Sequence, residues 1–500
     1  MDNKTTPPGN MDRHTILSNY IWRFLERWGA QGVTFVVSIV LARLLDPDVY
    51  GIIALVTVFT IILNIFLDSG FGNALIQKKD ADDLDFSSVF FFNITASVVL
   101  YAAIFFAAPL IAHFYDMPEL TLVVRVMGTF LLISGVKNIQ QAYVSRHMLF
   151  KKFFFATLGG TIGAAVIGIA LAYYGFGVWA LVAQYLFNAL LDTIILWIIV
   201  PWRPKRMFSM VRLRSLFSFA WKLLVSDLVY NGYTELRQLL IGKFYTPADL
   251  AFYNQGYKFP HLISANINTS INSILFPAMS SVQDDVERVR NMLKKSIQLS
   301  QYVVAPMVIG LAVCGEPLIR IVLTEKWLPC VPYMQLFCLS MAFGHMGNAN
   351  QNAIIALGRS DIKLRIEIIK TVVDIAILLG TVFISPMAVC IGFVCGALIR
   401  IAICAWPNKK LLGYSFWRQM LDILPNLIVT AVMAGIVWSV TLLHLSSWVT
   451  LLIQVPLGVV IYVGLSVLTK SEPFYYILDL VKSYFTRKRK GNEENHEDQL

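Results

Sequence analysis

Apolar residues in this chain gather into stretches of about twenty, separated by short polar turns. A helix of roughly 20 apolar residues crosses the hydrocarbon of a bilayer. Fourteen such stretches occur, at 21–43, 50–68, 88–112, 119–140, 153–174, 178–200, 216–241, 249–276, 296–323, 332–357, 363–384, 387–406, 416–443 and 448–469. They predict an all-α polytopic membrane protein of about 14 transmembrane helices. The N-terminus is polar through Asn10, with no short apolar run before a small-residue cleavage site. The first stretch is therefore expected to remain as a span.

Composition strengthens this reading. Hydrophobic residues make up 57% of the 500, charged residues 14%, and mean hydropathy is +0.64. Soluble domains hold about 45–50% apolar and about 25% charged residues, so a water-soluble enzyme with an appended anchor is excluded. The net charge of +10 would suit nucleic acid if it lay on one soluble face. It lies instead in alternate loops. Of 41 basic residues, only Arg43, Lys243, Arg320 and Lys326 fall in the loops of one side. The other side carries Lys78/Lys79, Arg146/Lys151/Lys152, Arg203 to Arg214, Arg288 to Lys295, Arg359 to Arg365, Lys409/Lys410/Arg418 and both tails. The positive-inside rule makes that side, with both termini, cytoplasmic, and nucleic acid drops out. The tail 471–500 reads as a disordered cytoplasmic segment with weak attraction to anionic lipid. The interhelix loops are too short for an inserted catalytic domain. The cysteines (Cys314, Cys330, Cys338, Cys390, Cys395, Cys404) form no CxxC pair, and all but Cys330 lie in apolar runs. Neither a disulfide framework nor a metal site is expected.

The pattern repeats. Leu45-Asp46-Pro47-Asp48-Val49-Tyr50-Gly51 closes the first hairpin, and Tyr245-Thr246-Pro247-Ala248-Asp249-Leu250-Ala251 closes the seventh. Pro109-Leu110-Ile111 matches Pro317-Leu318-Ile319, and Gln141-Ala142 matches Asn352-Ala353, in the same order. The expected organisation is an N-terminal lobe at 1–200 (spans one to six), a basic cytoplasmic linker at 201–215, and a C-terminal lobe at 216–410 (spans seven to twelve). Two extra spans at 411–470 follow. A parallel repeat of this kind is a common transporter plan, with two pseudo-symmetric six-helix lobes around a central cleft.

Polar residues line single faces of several spans. The first places Arg23, Arg27, Gln31, Thr34 and Ser38 on one stripe, and the seventh places Lys222, Ser226, Tyr230, Tyr233 and Arg237 at the same spacings. The eighth carries Asn254, Lys258, His261, Asn268 and Asn272, with Pro260 as an expected kink. The second carries Thr57, Asn64 and Asp68; the tenth His345, Asn348 and Asn352; the fourth Arg125 and Lys137. A charge near the bilayer centre costs at least ~2.5–3.5 kcal/mol, so such groups face a partner or a wet cavity. Single Asn and Ser residues are explained by hydrogen bonding between packed helices. Arg27, Lys137, Lys222, Arg237 and Lys258 together point to a cationic cleft, with Gln31, Asp68, Tyr230, Tyr233, Asn268, Asn272, His345 and Asn348 as its polar lining. Lys370 and Asp374, four residues apart, read as an internal pair. The small residues Gly159, Gly160, Gly163, Ala164 and Gly168 read as close helix packing. No GK[ST] or HExxH occurs, and no catalytic residues or metal ligands are assigned.

Arg and Lys are natural binders of phosphate. A diphosphate leaving an inside-negative cell with about two charges gains about 4–5 kcal/mol per 100 mV, at about 2.3 kcal/mol per charge. The potential alone then contributes drive without ATP, and a resetting step draws on H+ or Na+, between which the sequence does not choose.

Ala42-Arg43-Leu44-Leu45-Asp46-Pro47-Asp48-Val49-Tyr50-Gly51, followed by Asp68-Ser69-Gly70-Phe71-Gly72-Asn73-Ala74-Leu75-Ile76-Gln77, closely resembles the opening of the bacterial polysaccharide transporter family. That family includes O-antigen and exopolysaccharide flippases and colanic-acid and teichuronic-acid exporters. Trp202-Arg203-Pro204 and Leu240-Ile241-Gly242-Lys243 resemble further landmarks of it. The resemblance implies the multidrug/oligosaccharidyl-lipid/polysaccharide exporter fold. It implies flipping of an undecaprenyl-diphosphate-linked oligosaccharide between leaflets of the bacterial inner membrane by alternating access, without a cofactor. Its partners would be the lipid-linked substrate, membrane lipids and the polymerase or glycosyltransferase machinery. Lys222, Arg27 and Lys137 would meet the diphosphate first, and Arg237 and Lys258 would hold it later. Relatives often carry an acidic residue where this chain has Arg237, which favours an anion role there. The alternatives are a multidrug or cation antiporter of the same superfamily, a peptidoglycan-precursor flippase, and a membrane glycan polymerase or ligase.

Overall fold

The computed structural model describes residues 13–68, 70–479 and 482–483. In chain order its α-helices are α1 (Arg13–Leu44), α2 (Pro47–Asp68), α3 (Phe71–Gln77), α4 (Asp83–Phe114), α5 (Leu120–Arg146), α6 (Phe150–Tyr173), α7 (Val178–Ile199) and α8 (Met210–Phe244). There follow α9 (Pro247–Ser280), α10 (Val286–Val313), α11 (Gly315–Val322), α12 (Val331–Ala356), α13 (Ser360–Thr381), α14 (Pro386–Leu411), α15 (Phe416–Ser439) and α16 (Ser447–Leu468). Short 3₁₀ turns at Glu325–Cys330 and Val440–Leu443 precede α12 and follow α15. Among the described residues there is no strand. Thirteen of the fourteen predicted stretches each correspond to one long helix.

Besides the tail, where residues 472–479 are helical rather than disordered and 484–500 lie outside the described residues, two details differ from the sequence reading. The stretch 296–323 is not one helix but α10 and α11, parted at Cys314. Pro317 explains the break. In the first turn of α11 its missing N–H has no intrahelical partner to lose, whereas inside an unbroken helix it would forfeit a backbone bond. The second difference is α3, seven residues long, which starts from Gly70 in the left-handed region at φ 73°. A side chain at Gly70 would be strained there and would press on the Ala220 carbonyl of α8.

By length and composition, ten helices among the described residues are long and apolar enough to cross a membrane, and the protein is a multi-pass membrane protein. The four long helices outside that set are α1, α8, α9 and α13. Their sequences carry more charged and amide residues, which lowers their apolarity.

Contacts divide the chain into two units, 1–251 and 252–500. In the first, α6 packs on α7 and α1, α4 on α5, and α5 on α2 and α7. Helix α8 belongs by sequence to the second copy, yet it packs on α2, α3 and α4 of this unit. In the second unit α12 packs on α10 and α14, α13 on α14, and α15 on α10 and α16.

The duplicated turns fold alike. Two residues separate α1 from Pro47, and two separate α8 from Pro247. Each proline occupies the first helical position, where it loses nothing. Thr246 caps the second turn: its Oγ accepts from the Asp249 N–H (3.2 Å), and Asp249 accepts from the Thr246 N–H (3.2 Å). Gly51 of α2 lies directly against the Pro247 backbone, and a Cβ on it would collide with that carbonyl. Gly51→Val is expected to lower the thermal midpoint and the amount of membrane-inserted protein, since overpacking costs about 1–3 kcal/mol even where side chains can yield. Gly32→Ala, whose new methyl would meet nothing within 4 Å, should leave both unchanged.

The turn into the basic linker is anchored by Trp202. Its ring is buried against Phe86 and Phe90 and stacks on Tyr143. Its Nε1 donates to Asp83 (3.1 Å), and its carbonyl accepts from Gln140 (3.1 Å). Trp202→Ala should cost about 3–5 kcal/mol, read as a lower unfolding midpoint of the purified protein.

Candidate functional site

Helix α2 ends on Asp68, and the carboxylate is held from two sides. Asn138 of α5 donates to Oδ1 (2.6 Å), and Asn64, one turn back on α2, donates to Oδ2 (3.2 Å). A cavity of about 280 Å³ opens from Asp68 along Asn73, Asn93, Asn138 and Gln141 to Asp227 of α8. Asn93 of α4 is 3% exposed, and its Oδ1 has no hydrogen-bond partner among the described residues. Lys137, next to Asn138 in the chain, reaches α7 instead, where its ammonium lies 3.5 Å from Asp192. Asp192 is itself buried, and its Oδ1 accepts no bond among the described residues.

The other sequence-derived site residues are placed as follows. Gln31 is half-buried on α1. Arg237 is buried on α8, its guanidinium 5.1 Å from the centre of the Tyr233 ring. Lys258 is half-buried on α9, which runs unbroken through Pro260. Asn268 donates to Ser264 one turn back (3.2 Å). His261 stacks on Tyr257 at 4.9 Å. His345 is buried with neither ring nitrogen bonded among the described residues, and Asn348 is exposed. The side chains of Arg27, Lys222, Tyr230 and Asn272 lie outside the described residues. The structure thus brings Tyr233 to Arg237, and Asp68 to the α5 turn that carries Lys137.

One pairing is corrected. Lys370 does not hold Asp374; it pairs with Glu367 three residues earlier (3.1 Å). Asp374 is held by Arg400 of α14 at 2.6 Å, and that guanidinium also lies 4.6 Å from the centre of the Phe393 ring. A doubly hydrogen-bonding guanidinium from the neighbouring helix outcompetes a lysine on the same helix.

Two roles were not read from the sequence. Arg146 looked like a loop charge marking sidedness. Its guanidinium instead caps α3, donating to the carbonyls of Leu75, Lys78 (2.5 Å) and Lys79 (2.9 Å). Asp82 caps α4 through the Asp85 N–H (3.0 Å) in a reciprocal box. That backbone bond, helped by Arg212 and Lys78, holds the Asp82 carboxyl below the usual carboxylate range. Its stabilisation is present above the ordinary carboxylate pKa and fades as pH falls through the lowered value. Solvent screening keeps the effect small.

Among the described residues, fourteen long helices, with amides and charges set among the apolar positions, make up a multi-pass membrane protein. The fold is that of a solved lipid II flippase, MurJ, in an inward closed conformation. The two superpose with a TM-score of 0.74 at 13% identity, covering 92% of this chain and 99% of that one. An inward-facing multidrug resistance MATE family transporter of the MOP superfamily superposes at 0.61, with 14% identity, 78% of this chain and 98% of that one. The chain matches the polysaccharide biosynthesis protein family over residues 40–332 and belongs to it. It is 24% identical over 486 residues to the succinoglycan biosynthesis transport protein ExoT of Rhizobium meliloti, covering 94% of this chain and 96% of that protein.

Proposed function

We propose that this protein flips an undecaprenyl-diphosphate-linked oligosaccharide from the inner to the outer leaflet of the bacterial cytoplasmic membrane, by alternating access, for surface polysaccharide synthesis. Membership of the polysaccharide biosynthesis family, over more than half the chain, carries the reading. Both termini are then cytoplasmic, as the basic loops require. Lys222, Arg237, Lys258 and Arg27 offer positive charge to the diphosphate, and the tyrosines and amides of the stripes offer hydrogen bonds to sugar. Lys137 contributes less free charge than the sequence suggested, because Asp192 already neutralises it. The membrane potential drives the anion outward, and a counter-moving cation resets the carrier.

The test is deletion of the gene in its own host. Surface polysaccharide should disappear, with lipid-linked oligosaccharide accumulating in the inner leaflet, and the wild-type gene should restore display. Normal polysaccharide together with new sensitivity to organic-cation drugs would replace this reading with that of a multidrug antiporter.

A further inference from the structure

Many charges of the basic loops are spent on the protein itself. Lys78 pairs with Asp85, Lys205 with Asp83 and Arg290 with Glu287, while Arg146 and Arg203 donate to backbone carbonyls. One cluster differs. It lies where the start of α13, the end of α14 and the start of α15 meet. Ile362 and Ile366 of α13 pack with Ile403, Cys404 and Leu411 of α14, and a four-residue turn, 412–415, joins α14 to α15. Lys363 and Arg365, Lys409 and Lys410, and Arg418 therefore gather at three neighbouring helix ends. Among the described residues none of these side chains makes an ion pair or a hydrogen bond. The carboxylates near them are already engaged: Asp361 by Arg359 (3.0 Å), Glu367 by Lys370 (3.1 Å) and Asp422 by Lys294 (2.8 Å). The positive charge of the cluster is left without a counter-charge.

A buried network fixes these helix ends. Asn408 and Gln419 both donate to the Asn350 Oδ1 (2.7 and 2.9 Å), and the Tyr414 hydroxyl donates to Asp422 (2.7 Å). A site held in place before its ligand arrives loses less in ordering. Further along α13, Leu364, Ile368, Val372 and Leu379 form one exposed face at helical spacing. Trp406 of α14 and Trp417 of α15 are each 75% exposed beside the cations, and tryptophan settles at the headgroup level of a bilayer. Unpaired cations, exposed indoles and an apolar stripe match, in that order, the phosphate, glycerol and acyl layers of a phospholipid.

We propose that this rim binds an anionic phospholipid of the cardiolipin class, its phosphates on Arg365, Lys409 and Lys410 and an acyl chain along the exposed face of α13. The charge gathered here exceeds what one phosphate neutralises, and basic pockets between spans on the cytoplasmic side suit headgroups with more than one. Placing the lipid in the inner leaflet rests on the orientation given by the flippase reading; the binding itself does not.

The experiment follows thermal unfolding of the purified full chain in detergent micelles as cardiolipin is added, with phosphatidylcholine at equal phosphate as the reference. The midpoint should rise saturably with cardiolipin and not with phosphatidylcholine, as mass action on a folded-state site requires. The variant with Arg365→Gln, Lys409→Gln and Lys410→Gln should lose about a hundredfold in apparent affinity, since each basic side chain at an anionic surface contributes about 1 kcal/mol and about 1.4 kcal/mol is tenfold. All three are exposed, and exposed substitutions change stability little, so the variant should fold. Lys79→Gln with Arg206→Gln and Arg214→Gln removes the same charge from exposed positions of the first unit and should keep the wild-type affinity. No cardiolipin response in the wild type overturns the site. Equal losses in the two triple variants overturn it as well, reducing it to diffuse attraction. So does a midpoint raised by undecaprenyl diphosphate and not by cardiolipin, which would make the rim a substrate entrance. Because no glycan is moved in this assay, its failure leaves the flippase reading standing, and loss of that reading leaves the lipid site standing.

Discussion

Cells carrying Lys222→Ala together with Lys258→Ala are expected to lose surface polysaccharide while keeping the protein in the membrane at its normal amount. Both positions lie on the polar helices α8 and α9. Lysine within a span costs about 2.5–3.5 kcal/mol on insertion scales, so alanine relieves a burden and should not unfold the chain. On the proposed function, what is lost is contact with the substrate. A hydrogen bond to a charged group contributes about 1.5–3 kcal/mol. Two lost together reach about 3–6 kcal/mol, or roughly two to four orders of magnitude in binding. Lys258→Arg keeps the charge and should retain most of the display. Polysaccharide at wild-type level from the double alanine variant would remove these two lysines from the substrate path.

Lys137 should behave in the opposite way. Its ammonium pairs with Asp192 in a buried setting, and the second oxygen of that carboxylate has no bond among the described residues. Lys137→Met therefore strands a buried charge. Breaking such a pair from one side costs about 3–5 kcal/mol, and the variant should be nearly absent from the membrane. Replacing both partners by apolar residues of similar volume is often neutral or stabilising. Lys137→Met with Asp192→Leu should therefore recover the lost protein. Normal amounts of the single variant, with polysaccharide gone, would instead make Lys137 a substrate contact. Protein amount and polysaccharide display, measured side by side, separate the two outcomes.

The contrast between these lysines marks how far the chain could be read before its folding was known. Spans were legible because twenty apolar residues in a row have one common explanation, and thirteen of the fourteen stretches each correspond to one long helix. The break at Cys314 was not, since apolar residues run across it and only Pro317 hints at the interruption. Helix α3 escaped because seven residues carry no periodic signal, although Gly70 marks its start. Polar stripes could be read because spacing on one helix is local. Partners were hidden because they are not local. Asn138 reaches Asp68 across seventy positions, and Arg400 takes Asp374 from a lysine on the same helix. Asn93 stood in an apolar run with nothing to mark it. Only the folded chain brings it to the cavity that Asp68 also lines.

The central claim, that positive side chains on polar helices carry a diphosphate-linked glycan across the membrane, is tested most directly by flipping in reconstituted vesicles. Purified wild-type protein, given undecaprenyl-diphosphate oligosaccharide on one leaflet, should move it to the other, where an added glycan-cleaving enzyme detects it. Protein bearing Lys222→Ala and Lys258→Ala, reconstituted at equal amount, should move none above protein-free vesicles. Equal rates from the two proteins would contradict the account.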